Sequence, residues 1–116
     1  MWRMRAEQRR SDFSQLRRGA LEYCVMAALN EKQRYGYELV SMLGGILTSD
    51  GTIYPLLARL RKEGSVATNW QESSSGPPRR YYQLTDRGRD ALERFVQEWV
   101  RFRDAVDEIL GTKDRR

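Results

Sequence analysis

The sequence predicts a mainly α-helical fold that carries one small two-stranded hairpin and closes on a long helix. Three observations predict it. Residues 49–64 place Ile53, Leu56, Leu57 and Leu60 at i, i+3, i+4 and i+7, the spacing of one buried helix face. Two short β-patterned runs around a loop of Ser, Gly and Pro follow directly. Beyond them Leu92, Phe95, Trp99, Phe102, Val106 and Ile109 recur at spacings of 3, 4, 3, 4 and 3, an a/d seam. A helix held by one face, a hairpin behind it and a seamed final helix together define a winged helix-turn-helix with a C-terminal dimerisation helix.

The bulk properties narrow the function. With 116 residues there is room for one core, and the 32% charged fraction suits long solvated helix faces. A net charge of +5 favours a polyanionic partner. The chain has one cysteine, Cys24, and no histidine. An internal disulfide, a Cys/His metal site and His-dependent catalysis are therefore excluded, and no metal or cofactor is expected. No apolar run of about 18 residues and no signal-peptide pattern is present, so the expectation is a cytoplasmic protein without membrane contact.

Taken in order, residues 1–14 form a basic arm or short helix with Arg3, Arg5, Arg9 and Arg10. Two readings stand for it: a solvated arm, or one that touches DNA phosphates or packs Trp2 on a partner subunit. The winged helix-turn-helix unit is expected over residues 15–84. Ser14 caps a helix running to about residue 30, whose second half is apolar nearly all round and should be the spine of the core. Gly19 is a costly residue inside it, by roughly 1 kcal/mol against alanine. Cys24 reads most simply as a small buried apolar residue. Glu31-Lys32-Gln33-Arg34 is a charged turn. A short helix over residues 36–46, broken by Gly44-Gly45, completes the helix-turn-helix pair.

The next helix has the character of a recognition helix. Its outer face carries Thr52, Tyr54, Pro55, Arg59 and Lys62, a mixture of hydroxyls, a ring and cations that a DNA major groove accepts. Either Ser49 or Thr52 caps it. A start at Ser49 puts a bend at Pro55, and Asp50 and Gly51 favour that early start. Gly64 ends it. Residues 65–70 and 79–84 are the two wing strands, with the loop between them and the prolines where pairing ends. Arg79 and Arg80 at the wing base are placed to reach phosphate or the minor groove, or else are a solvated strand end. Tyr35, Tyr37, Tyr81 and Tyr82 read as packing residues.

Thr85 caps the last helix, which spans residues 85–110, with Asp86 favourably in its first turn; residues 111–116 are a polar tail. The seam from Leu92 to Ile109 is too long for this core to cover, so a second copy of the chain is the expected partner. Trp99 reads first as dimer-core packing.

With these elements placed, the sequence resembles the PadR family of bacterial transcriptional regulators, in particular its small members with a single C-terminal dimerisation helix. The stretches that carry the resemblance are Leu16-Arg17-Arg18-Gly19-Ala20-Leu21-Glu22, Tyr35-Gly36-Tyr37-Glu38-Leu39 and Gly51-Thr52-Ile53-Tyr54-Pro55-Leu56-Leu57. Arg59-Leu60 with Glu63-Gly64, then Gly76 to Arg80 with Tyr81-Tyr82-Gln83-Leu84-Thr85-Asp86-Arg87-Gly88, extend it. The Arg-rich first dozen residues and the Arg17-Arg18 pair depart from the pattern. The resemblance implies a homodimer on a palindromic double-stranded operator, usually a repressor. It also implies DNA contacts at Thr52, Tyr54, Pro55, Arg59, Arg79 and Arg80. In some members it implies a flat aromatic or cationic effector held in an apolar cavity at the dimer interface, against a tryptophan comparable to Trp99. The competing reading is a winged-helix protein-interaction module without specific DNA binding. No paired acids, phosphate-binding Gly loop or activated nucleophile points to an enzyme.

Overall fold

The computed structural model describes residues 19–46 and 50–115. The basic arm, the Ser14 cap, residues 15–18 of the expected opening helix and the Ser49 cap lie outside the described residues. Four α-helices and three strands are described: α1 (Leu21–Glu31), β1 (Arg34–Tyr35), α2 (Gly36–Met42), α3 (Ile53–Lys62), β2 (Val66–Ser73), β3 (Gly76–Leu84) and α4 (Asp86–Leu110). No helix among the described residues is long and apolar enough to cross a membrane.

The core forms where α1, α3 and the sheet meet. Val25, Leu39, Ile53 and Leu57 are fully shielded from solvent, with Leu60, Met26 and Leu29 nearly so. Each such side chain contributes roughly 1.5–3 kcal/mol by leaving water. α1 is the expected spine, packed on both α4 and β3. It begins later than expected: Gly19 stands before it with φ +83°, a left-handed conformation that glycine adopts without strain, so it costs the helix nothing. At the other end the Arg34 guanidinium donates to the Ala28 carbonyl oxygen at 2.9 Å and to Glu31 at 3.2 Å, setting a cation on the negative end of the helix.

The short helix is shorter than expected, ending at Met42 with a turn over residues 43–46. The tight approach to α3 is made by a 3-10 turn, Asp50–Thr52. Asp50 and Gly51 are therefore helical, as their residue types suggest, but the α-helix proper begins at Ile53. Thr52 holds the N-cap position without a side-chain cap hydrogen bond. Pro55 then lies in the first α-helical turn, where its missing N–H has no partner to lose. The change of helix type takes the place of the expected bend.

The sheet has three strands rather than two, in the order β1-β3-β2, all antiparallel. The segment read as a charged turn supplies β1, with Arg34 opposite Tyr82 and Tyr35 opposite Tyr81. The wing is longer than expected. Pairing runs from Val66↔Leu84 to Ser73↔Gly76, with a register shift between Gln71 and Ser73. Pro77 and Pro78 fall in that irregular stretch, so they sit where the ladder slips, and the loop reduces to the turn at Ser74-Ser75.

Thr85 caps α4 as its residue type predicts, its hydroxyl accepting from the Gly88 N–H at 3.1 Å. The same hydroxyl donates to the Gly64 carbonyl oxygen at 2.7 Å, and the Thr85 N–H donates to the Ser65 carbonyl oxygen at 3.1 Å. Gly64, φ +84°, closes α3 in a Schellman turn: Ser65 N–H bonds to the Leu60 oxygen and Gly64 N–H to the Arg61 oxygen. Gly111 ends α4 in the same left-handed way, followed by a 3-10 turn, Lys113–Arg115, in the segment read as a tail.

The junction leaves no space at Gly88. A Cβ there would overlap the Ser65 carbonyl oxygen and stand 2.5 Å from Leu84 Cδ1. The oxygen is backbone and cannot swing aside. Gly88→Ala is therefore expected to cost about 1–3 kcal/mol and to lower the melting temperature by several degrees in a circular-dichroism melt. An unchanged melting temperature would show that the junction is loose.

Candidate nucleic-acid interface

The outer face of α3 is set by the burial of its inner one. With Ile53, Leu57 and Leu60 inside, Tyr54, Pro55, Ala58, Arg59, Arg61 and Lys62 are exposed. At 100° per residue, Tyr54, Ala58 and Arg61 form one stripe of that face and Pro55, Ala58 and Lys62 the next.

The start of α3 faces the wing base and the Tyr35-Gly36-Tyr37 corner. Tyr54, Tyr37, Arg79 and Arg80 line one open recess of about 200 Å³ with Tyr35 and Tyr82 at its wall. The hydroxyl end of the Tyr54 ring lies close against Gly36. A Cβ on Gly36 would stand 2.5 Å from Tyr54 Cε1 and 2.7 Å from its hydroxyl oxygen. Glycine lets the ring approach this closely; its backbone angles do not call for it.

The wing arginines rest on aromatic faces. The Arg79 guanidinium carbon is 4.6 Å from the Tyr35 ring centre, and that of Arg80 is 5.9 Å from both Trp70 and Tyr82. Stacking of this kind orients a guanidinium while leaving its charge free for an anion. Tyr35 packs edge-on to Tyr81 at 5.5 Å and Tyr82 is buried, the packing role expected of them, whereas Tyr37 is largely exposed. Trp70 is two-thirds exposed on the wing.

Arg59 stands apart from the other cations. It donates to Glu63 at 2.9 Å and to Glu22 of α1 at 3.0 Å. Hydrogen bonds to Glu63 and Glu22 push its pKa up, so it is a fixed cation with its charge already answered. Sequence reasoning missed two features of this surface. Arg61 was legible from its i, i+4, i+7 relation to Tyr54 and Ala58. The partnership of Glu22 with Arg59, 37 residues away, has no local signal.

A second feature lies between α1 and α4. Tyr23 stacks on Phe95 at 3.9 Å with parallel rings, and Phe95 is followed by Trp99 at 6.2 Å and Phe102 beyond it. Tyr23, Cys24, Ala27, Leu92, Phe95 and Trp99 line an apolar hollow of about 270 Å³. Cys24 is half-buried, and burial pushes its thiol up, which makes it a poor nucleophile near neutral pH. Along the seam exposure rises from Leu92, 8%, through Trp99, 42%, and Phe102, 64%, to Ile109, 84%. Val106 is partly covered.

Fold and site together define a winged-helix protein with an aromatic and basic face. A family model described as the transcriptional regulator PadR-like family matches residues 25–94. A PadR-like transcriptional regulator from Bacillus cereus strain ATCC 14579 is 39% identical, covering 83% of this chain and 96% of its own, with a TM-score of 0.75. A PadR family regulator from Eggerthella lenta DSM 2243 is 37% identical over 92% of this chain and 96% of its own, with a TM-score of 0.79. The chain belongs to the PadR-like family of transcriptional regulators. Its fold is also shared by Bacillus subtilis PadR, solved in complex with operator DNA. That likeness has 24% identity, covers 66% of this chain and 46% of the other, and has a TM-score of 0.60.

The Gly36 contact has a consequence of its own. The Tyr54 ring is the far end of a flexible, half-exposed side chain, so Gly36→Ala should turn the ring outward at a cost below about 1 kcal/mol. The expected result is a nearly unchanged melt with shifted Tyr54 ring resonances in NMR spectra. A large loss of stability would mean that the ring has nowhere to go.

Proposed function

We propose that the protein is a sequence-specific, DNA-binding transcriptional regulator that works as a homodimer, represses its target and is released by a small effector. The observation that carries the DNA reading is the joining of Tyr54 on α3 to Arg79 and Arg80 on the wing across one recess. Hydroxyl, ring and oriented cations then form a continuous surface, on a fold that a relative uses in its complex with operator DNA. In this reading a dimer sets two copies of α3 about one DNA turn apart, roughly 34 Å, on a palindromic site. Thr52, Tyr54 and Pro55 meet base edges or the backbone, Lys62 meets phosphate, and Arg79 and Arg80 follow the backbone or minor groove. Arg59 reaches DNA only by exchanging a carboxylate for a phosphate.

The dimer reading rests on the exposed seam. Trp99, Phe102 and Ile109 present apolar surface that water does not favour, and a second α4 would cover it. The effector reading rests on the hollow beside Trp99. At about 270 Å³ it is small for a drug-sized ligand, and a partner's α4 would enclose it. A ligand that prefers another angle between the two α4 helices would alter the spacing of the α3 pair and release DNA.

Fluorescence anisotropy on the duplex upstream of the protein's own gene, against a scrambled duplex, tests the first reading. A preference of about a thousandfold or more is expected, and Thr52→Ala/Tyr54→Ala should remove the preference while keeping residual non-specific binding. Binding to neither duplex at low salt would favour a protein-interaction module instead. Phe102→Glu is expected to yield a monomer in sedimentation velocity; a dimer that survives it would move the interface elsewhere. Quenching of Trp99 fluorescence by tetraphenylphosphonium, an aromatic cation, is expected if the hollow holds such ligands, and its absence in a Trp2→Phe/Trp70→Phe background would remove the sensor reading.

A further inference from the structure

The basic surface does not end at the wing base. Arg61 and Lys62 lie in the last turn of α3, both exposed, and Arg87 lies in the first turn of α4, also exposed. The two turns are joined at Gly64. The Arg61 carbonyl oxygen accepts the Gly64 N–H at 3.1 Å, and Arg87 Cδ passes 3.7 Å from where a Gly64 Cβ would stand. Three cations therefore gather around one Schellman turn.

The neighbouring acids do not answer them. Glu63 is engaged by Arg59, and Asp86 by Arg89. Asp90, one turn beyond Arg87, is exposed and forms no ion pair with it. Arg61, Lys62 and Arg87 make no ion pair with any described residue. Helix electrostatics explains part of this arrangement. Cations at the end of α3 are favoured by its dipole, so Arg61 and Lys62 have a local reason to be there. Arg87 starts from the positive end of α4, but its side chain passes the C-terminal turn of α3, whose dipole favours a cation. No carboxylate there neutralises the three charges, which leaves them available to an external anion.

We infer that Arg61, Lys62 and Arg87 form a second contact with the phosphate backbone of double-stranded DNA, at the opposite end of α3 from the wing base. The inference rests on the DNA-binding reading above and extends it. Arg61 shares the stripe of Tyr54 and Ala58, so a duplex lying along that stripe meets the wing base at one end of the helix and this patch at the other. Arg59, held by Glu22 and Glu63, is in this account a strut between α3 and α1, and Arg61 is the guanidinium of α3 that grips DNA. Backbone contacts of this kind add affinity and register without reading sequence.

The test is a salt series of anisotropy titrations on the upstream and scrambled duplexes with Arg61→Gln, Arg87→Gln, their double variant and Lys113→Gln. Each patch variant is expected to weaken binding to both duplexes and to reduce the slope of log K against log[salt] by about 1. The double variant should reduce it by about 2. Lys113→Gln removes the same net charge far along the chain and should leave the slope unchanged. The melting temperature of Arg87→Gln should change little, since the lost cation stands between the positive end of α4 and the negative end of α3. Slopes equal to the unaltered protein's in the patch variants, or an equal fall with Lys113→Gln, would overturn the patch while leaving specific DNA binding intact. If the unaltered protein binds neither duplex, the DNA-binding reading itself fails and the patch falls with it.

Discussion

The structure turns on the hydrogen bonds of Thr85. Its hydroxyl accepts from Gly88 N–H and donates to the Gly64 carbonyl oxygen, and its N–H donates to the Ser65 oxygen. Those partners are the end of α3, the entry to the wing and the start of α4. A threonine at an N-cap ordinarily satisfies one orphan helix donor. Here it also fastens the cap to the preceding helix's Schellman turn, and the absent side chain of Gly88 lets Ser65 approach. The junction between α3 and α4 is thus held by one threonine hydroxyl and the backbone groups it and its own N–H reach. In the proposed function, α3 and the seamed α4, joined at this junction, act as one lever.

α1 supports that lever from the other side through two consecutive residues. Glu22 holds Arg59 of α3, and Tyr23 stacks on Phe95 of α4. The two links differ in kind. The ion pair is half-exposed at Arg59, so screening keeps it worth under about 1 kcal/mol and makes it easy to break. The parallel stack is more apolar and loses nothing to salt. A change at the α1–α4 hollow therefore bears on a firm contact, while the tie from α1 to α3 is soft.

What the sequence makes legible follows the range of the interactions. The faces of α3 and α4, the Thr85 cap and the Gly64 stop all depend on residues within a turn or two, and the periodicity of Ile53, Leu56, Leu57 and Leu60 is enough to orient α3. β1 is different. Two residues, Arg34 and Tyr35, have no strand signal of their own and become a strand because Tyr81 and Tyr82 lie alongside. The wing strands extend past Gln71 for the same reason: pairing across the hairpin carries Pro77 and Pro78 along, with the slip in register absorbing their missing donors. At the candidate interface, Tyr54, Arg79 and Arg80 could be named from residue type, but their meeting depends on the space left by Gly36. Arg59 looks from its position like a DNA contact. Only the fold brings Glu22 to it.

The gradient along α4 links the two remaining proposals. One chain covers the seam at Leu92 and leaves Trp99, Phe102 and Ile109 bare, with Val106 partly covered between the last two. The hollow beside Trp99 lies at the middle of that gradient, where intrachain packing is giving out. If a second α4 completes the seam, it also closes the hollow, so the cavity's shape is a property of the pair and not of either chain. A ligand held there acts on the angle between two α4 helices by the contacts it makes with both. Thr85 ties α4 to α3 within the chain, so in the proposed dimer that angle would set the spacing of the two α3 helices. The fold needs no separate transmission path between effector and DNA beyond the junction that already holds each chain together.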